Sequence, residues 1–127
     1  MLPAVRLRLL VLFTVAVGLS AASADAASGL RTSLLGQTHT PLAGSPWAYY
    51  LRAWGPDGKP WQGAIVIEVV TSKGEKIDGI GQFGFKGSWL RAYIWRRPTR
   101  GQTLDLRIRF IEGTKMVATT SYRVFVK

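Results

Sequence analysis

The chain has 127 residues, 47% of them apolar, no cysteine and a formal net charge of +10. That length holds one globular core and excludes a second domain of ordinary size. The missing cysteine removes disulfides, thiolate zinc sites and thiol nucleophiles together, and the charge favours anionic partners over cationic ones.

Residues 1–26 carry the three parts of an export signal in order: Arg6 and Arg8, an apolar run from Leu9 to Leu19 broken only by Thr14 and Gly18, and small residues from Ser20 to Ala26. Ala22-Ser23-Ala24 and Ala24-Asp25-Ala26 both suit a signal peptidase, so cleavage is expected after Ala24 or Ala26. The apolar run is well short of the roughly 20 residues that span a bilayer, so no transmembrane span is expected after cleavage. Lipid anchoring would need a cysteine. The expected location is outside the cytoplasm, secreted or periplasmic or at the cell envelope, and a small exported domain without cysteine suits a bacterium. Without Arg6, Arg8 and Asp25 the net charge of the mature chain is about +9.

Residues 27–36 follow neither a helical nor a strand period and read as a flexible leader. From Gln37 to the end, short apolar runs recur between glycine, proline and charged residues, which is the pattern of a sandwich or small barrel. The clearest turn is Gly55-Pro56-Asp57-Gly58-Lys59-Pro60, where Pro56 presets one dihedral, Asp57 can bond its own backbone and Gly58 supplies a left-handed conformation. It joins a predicted strand at Trp47–Trp54 to another at Ala64–Thr71. In the second, Ile65, Ile67 and Val69 share one face; on the other, Glu68 requires solvent or a partner. A weaker strand is predicted near Ile77–Phe83.

From Leu104 to Phe110 the alternation is clean, with Leu104, Leu106, Ile108 and Phe110 inward and Asp105, Arg107 and Arg109 outward. The strand at Met116–Val126 is registered against it by parity. A loop of three residues, Glu112-Gly113-Thr114, or of five pairs Phe110 with Met116, Ile108 with Ala118, Leu106 with Thr120 and Leu104 with Tyr122. An even loop would turn Arg107 and Arg109 toward the core. Between Trp89 and Trp95 the two faces compete: Trp89, Tyr93 and Trp95 against Leu90, Ala92 and Ile94, with Arg91 and Gly87 pointing to an edge or a bulge.

The stretch from Pro46 to Ala64, a strand running into Gly58-Lys59-Pro60, then Gly63-Ala64 and an apolar strand, resembles the second and third strands of bacterial immunoglobulin-like modules. Phe85-Lys86-Gly87-Ser88-Trp89 and Gly101-Gln102-Thr103-Leu104 are similar to stretches of small secreted actinobacterial proteins of that kind. The resemblance covers most of residues 37–127. It implies an all-β, antiparallel immunoglobulin-like or fibronectin-type sandwich of about seven strands and a binding, spacing or structural role outside the cell, and it brings no catalytic residues.

No residue pattern points to an enzyme, a cofactor or a metal. His39 is the only histidine and has no metal-ligand spacing around it, and no serine sits in a nucleophile elbow, so a hydrolase or hydrolase inhibitor is the weaker alternative. Gly79-Ile80-Gly81-Gln82-Phe83-Gly84 fits the dinucleotide fingerprint in letters only, because the following residues read as strand and turn; its glycines are expected to permit a bulge. Two sets of residues remain as binding candidates. Arg96, Arg97 and Arg100, with Arg107, Arg109 and Arg123 on the neighbouring hairpin, would form a basic surface for an anionic envelope polymer or another protein. Nucleic acid is disfavoured by export and by the absence of its motifs. Trp54, Trp61 and Trp95 are the candidates for stacking on sugar rings in a carbohydrate-binding module.

Overall fold

The computed structural model describes residues 29–127; the expected export signal, the expected cleavage sites, Ala27 and Ser28 lie outside them. Seven strands form two antiparallel sheets: β1 (Arg31–Gly36), β2 (Pro46–Trp54), β3 (Gln62–Thr71), β4 (Lys76–Lys86), β5 (Ser88–Ile94), β6 (Thr103–Glu112) and β7 (Lys115–Phe125). The three-stranded sheet has the order β1-β2-β5 and the four-stranded sheet the order β4-β3-β6-β7. The chain therefore changes sheet after β2, β4 and β5. Each inner face is a row of alternate apolar residues, and Leu51, Ile65, Ile67, Leu106, Ile108 and Phe110 meet with no exposure between the sheets.

The expected leader at 27–36 is corrected by β1. Arg31–Gly36 pairs with β2, from Arg31 opposite Trp54 to Gly36 opposite Tyr49, and Leu30 and Leu34 are core residues. The period was hidden because Thr32, a polar residue, takes an inward position between Leu30 and Leu34. The segment after β1 then runs beside the end of β7, where the Phe125 N–H donates to His39 O and the Lys127 N–H to Pro41 O. Tyr122 Oη–H donates to Gly36 O, so this side of the sandwich is laced shut.

The turn at 55–60 forms as its residues dictate. Gly58 has φ +81° and donates to Gly55 O, while Asp57 Oδ1 accepts from the Lys59 N–H. In β4 the register shifts between Gly81 and Gly79, leaving Ile80 as an extra residue, and Gly81 sits at φ +144°. That is the bulge expected of the Gly79–Gly84 segment.

The β6–β7 hairpin keeps the expected parity but slides two residues. Phe110 lies opposite Ala118, Ile108 opposite Thr120, Leu106 opposite Tyr122 and Leu104 opposite Val124. The connection is a two-residue turn, Gly113-Thr114, and Val117 is inserted as a bulge between the pairs Ile111–Met116 and Phe110–Ala118. An even turn plus one extra residue restores an odd offset, so the apolar faces still coincide. The ambiguous strand is settled as well. β5 is an edge strand that turns Trp89, Tyr93 and the following Trp95 inward and leaves Leu90 66% exposed.

Candidate binding surface

Glu68 is where the four-stranded sheet resolves its outward charge. It stands on the outer row of β3 yet is only 4% exposed, because the side chains of Arg107 and Arg109 fold over it from β6. Arg107 Nη2 and Arg109 Nη2 lie 3.2 and 2.8 Å from the same Glu68 Oε2. Arg123, opposite Asp105, makes a forked pair with it at 2.9 and 3.0 Å. That fork favours the charged guanidinium and raises the Arg123 pKa. Half of the predicted basic surface is thus held by two carboxylates.

The loop arginines differ. Arg97–Thr99 forms one turn of 3-10 helix between β5 and β6, and Arg96, Arg97 and Arg100 are exposed around it. The turn is well fixed: Thr99 donates through its N–H and its hydroxyl to Arg96 O, and the Gly101 N–H donates to Val126 O. Arg96 borders a cavity of about 190 Å³ between the sheets that also touches Asp78, Tyr93 and Thr99. In that cavity Tyr93 Oη–H donates to Asp78 Oδ2 at 2.7 Å, and burial followed by this contact raises the phenol's pKa. Arg97 turns the other way, with Nε against Gly44. None of these three arginines is in an ion pair among the described residues.

The tryptophans part in the same manner. Trp95 is 0% exposed, edge-on to Trp47 and Tyr93 at 5.4 and 4.9 Å, so its ring is core and cannot meet a sugar. Trp95 was a stacking candidate in a segment whose inward face the sequence left open, and the strand alternation that turns Tyr93 inward carries Trp95 inward too. Trp61 is partly buried against Phe85 and Phe110 and closes one end of the core. Trp54 alone keeps a role at the surface. The Arg52 guanidinium lies over its ring at 4.9 Å from the centroid.

Around that pair is a groove that the sequence did not reveal. Arg52, Trp54, Pro60, Lys86 and Ser88 line an open space of about 610 Å³ at the end of the sandwich where the chain passes from β4 to β5. Strand register makes it: Arg52 lies opposite Ser88, and Lys86, two residues earlier, still belongs to β4. The Ala53 N–H donates to Gly87 O and the Gly87 N–H to Trp61 O, which fixes the floor. Arg31 stands opposite Trp54 on β1. The only available signal was Arg52-x-Trp54, two residues on one strand face, because Lys86 lies far along the chain.

His39 stacks on Tyr122 with centroids 4.3 Å apart, and its Nδ1–H donates to Arg123 O. Among the described residues no group of three His, Asp or Glu side chains could hold a metal ion, and no helix is long and apolar enough to cross a membrane.

The two packed antiparallel sheets of seven strands define an immunoglobulin-like β-sandwich domain. Among solved structures the chain is similar to the CARDB domain of a Pyrococcus furiosus protein, solved in complex with di-metal ions, at 12% identity and a TM-score of 0.50, over 77% of this chain and 87% of that one. It is also similar to a DUF4466 family protein from Parabacteroides merdae, at 10% identity and a TM-score of 0.52, over 76% of this chain and 44% of that one, so it spans less than half of the second protein. At these identities the likeness is one of fold, reaching the sandwich and not the small secreted actinobacterial type. No family model and no curated protein matches the chain.

Proposed function

We propose that this chain is a non-catalytic, exported β-sandwich module, of the small secreted kind its turn motifs resemble, that binds an anionic polymer of the cell envelope through unpaired surface cations. The observation that carries this reading is the unequal pairing of charge. The described residues hold fifteen Lys and Arg side chains against six Asp and Glu, and the only ion pairs among them join Arg107, Arg109 and Arg123 to Glu68 and Asp105. Arg96, Arg97 and Arg100 are left exposed on a turn fixed by backbone bonds, an arrangement suited to the forked recognition of carboxylate or phosphate.

The test is binding of the purified protein to isolated envelope polymers over a salt series, beside a variant with Arg96, Arg97 and Arg100 changed to serine. Affinity should fall as salt rises and fall again with the triple change. Binding indifferent to salt, or no binding to any anionic polymer, overturns the reading.

A further inference from the structure

We propose that the groove beside Trp54 binds a carboxylate-bearing glycan; the inference rests on the reading above and moves its specific contact away from the arginine loop. Three properties of the groove converge on that class. Its volume of about 610 Å³ lies in the range of ligand sites, large enough for more than one sugar ring. Its charge is positive and unbalanced: Arg52 and Lys86 line it, no acidic side chain does, and neither cation is in an ion pair among the described residues. Its remaining wall is the Trp54 and Pro60 rings with Gly58, Gly87 and Ser88 beside them.

Each simpler ligand leaves part of this lining unused. An inorganic polyphosphate would engage the cations and waste the apolar rings. A neutral glycan would lie on the rings and leave two cations beside it without a counter-charge. A sugar ring has an apolar C–H face and polar edges, and a carboxylate on it supplies the missing charge.

Trp54 acts in this site as a positioning residue. The Arg52 guanidinium carbon lies 4.9 Å from the centroid of the Trp54 ring, a cation–π contact that keeps the guanidinium beside the groove. Ser88, directly across the strand pair from Arg52, offers a hydroxyl at the same level. The positions are held by rigid elements, since Arg52 and Ser88 are paired strand residues and Gly87 is bonded on both sides.

The experiment is titration calorimetry of the purified protein with tetragalacturonate, with a neutral tetrasaccharide of glucose and with polyphosphate. Tetragalacturonate should bind and the neutral sugar should not. Arg52→Ala and Lys86→Ala should each weaken binding roughly tenfold, as for the loss of a charge-assisted hydrogen bond. Trp54→Phe should keep binding, and Trp54→Ala should weaken it without changing its stoichiometry. Arg52 and Lys86 are exposed and Trp54 is half-buried outside the core, and unchanged thermal melts confirm that the variants fold. The triple serine variant at Arg96, Arg97 and Arg100 should bind tetragalacturonate as the wild type does. Equal binding of the neutral sugar, tighter binding of polyphosphate, or an unaffected Arg52→Ala/Lys86→Ala double variant would overturn the groove assignment. If tetragalacturonate fails while an envelope polymer still binds in a way that salt and the triple variant weaken, the groove is wrong and the broader reading stands.

Discussion

On the outer face of the four-stranded sheet, Arg107, Arg109 and Arg123 stand among Glu68 and Asp105, whereas on the outer face of the three-stranded sheet Arg31 and Arg52 stand among Ser33, Leu35, Tyr50 and Leu90. The same residue type serves two ends. In the first case Arg107 and Arg123 have a carboxylate directly across the strand pair and Arg109 reaches Glu68 diagonally, so their charge is used in folding. In the second the cross-strand neighbours are neutral, so no carboxylate takes up the charge. A count of arginines cannot separate these cases; register can.

If that contrast is right, the largest effect on stability should come from the buried carboxylate. Glu68→Ala leaves two guanidinium groups crowded over an apolar site, and breaking a buried pair in this way costs about 3 kcal/mol. In a domain of this size that lowers the melting temperature by roughly 10 °C or more. A urea melt of Glu68→Ala within 1 kcal/mol of wild type, on that same scale of about 3 kcal/mol, would show that the pair contributes little.

The seams between the sheets should weaken in strong alkali. Burial pushes the Tyr122 phenol up to about 12, and burial also raises Tyr49 and Tyr93. The neutral phenol is the form the fold favours, so its contribution is whole below about pH 10, the unfolded value, and is lost as pH rises through about 12. Solvent screens this half-buried group, and the loss from Tyr122 alone should be about 1 kcal/mol. Denaturant midpoints from pH 8 to pH 12 would record it, and Tyr122→Phe should flatten the fall. A fall that begins below pH 9 would point to another group.

Arg123→Ala should cost only about 0.5 kcal/mol, since the pair with Asp105 is forked but the arginine side chain is 60% exposed. The smallest change should come from Arg52→Ala, within about 0.5 kcal/mol of zero in a thermal melt. The sharpened contrast is then between Glu68→Ala, which should unfold the domain more readily, and Arg52→Ala, which should leave it folded and weaken the proposed binding about tenfold. Equal destabilisation by the two would erase the distinction between the faces.

Much of this was determined by the sequence alone. Period-two alternation in Ile65-x-Ile67-x-Val69 and in Leu104 to Phe110 assigned inner and outer faces correctly, because a pleated strand must put alternate side chains on opposite sides. The turn at Gly55–Pro60 was legible because its dihedrals are set within the residues themselves, and Glu68 announced its need for a partner by being charged in an apolar strand. Parity also survived in the last hairpin. Its actual register did not, since no glycine, proline or charge in Met116-Val117-Ala118 marks the extra residue. β1 was missed for a related reason: Thr32 breaks the apolar alternation, and only the neighbouring strand and the opposite sheet identify its position as inward. The binding candidates divide on the same line. Arg96, Arg97 and Arg100 are neighbours in the chain and could be named from it, whereas the groove joins Arg52 on β2 to Lys86 on β4 and Ser88 on β5. Tertiary pairing alone brings those residues together, because a site shared by two sheets has no period and no spacing in the sequence.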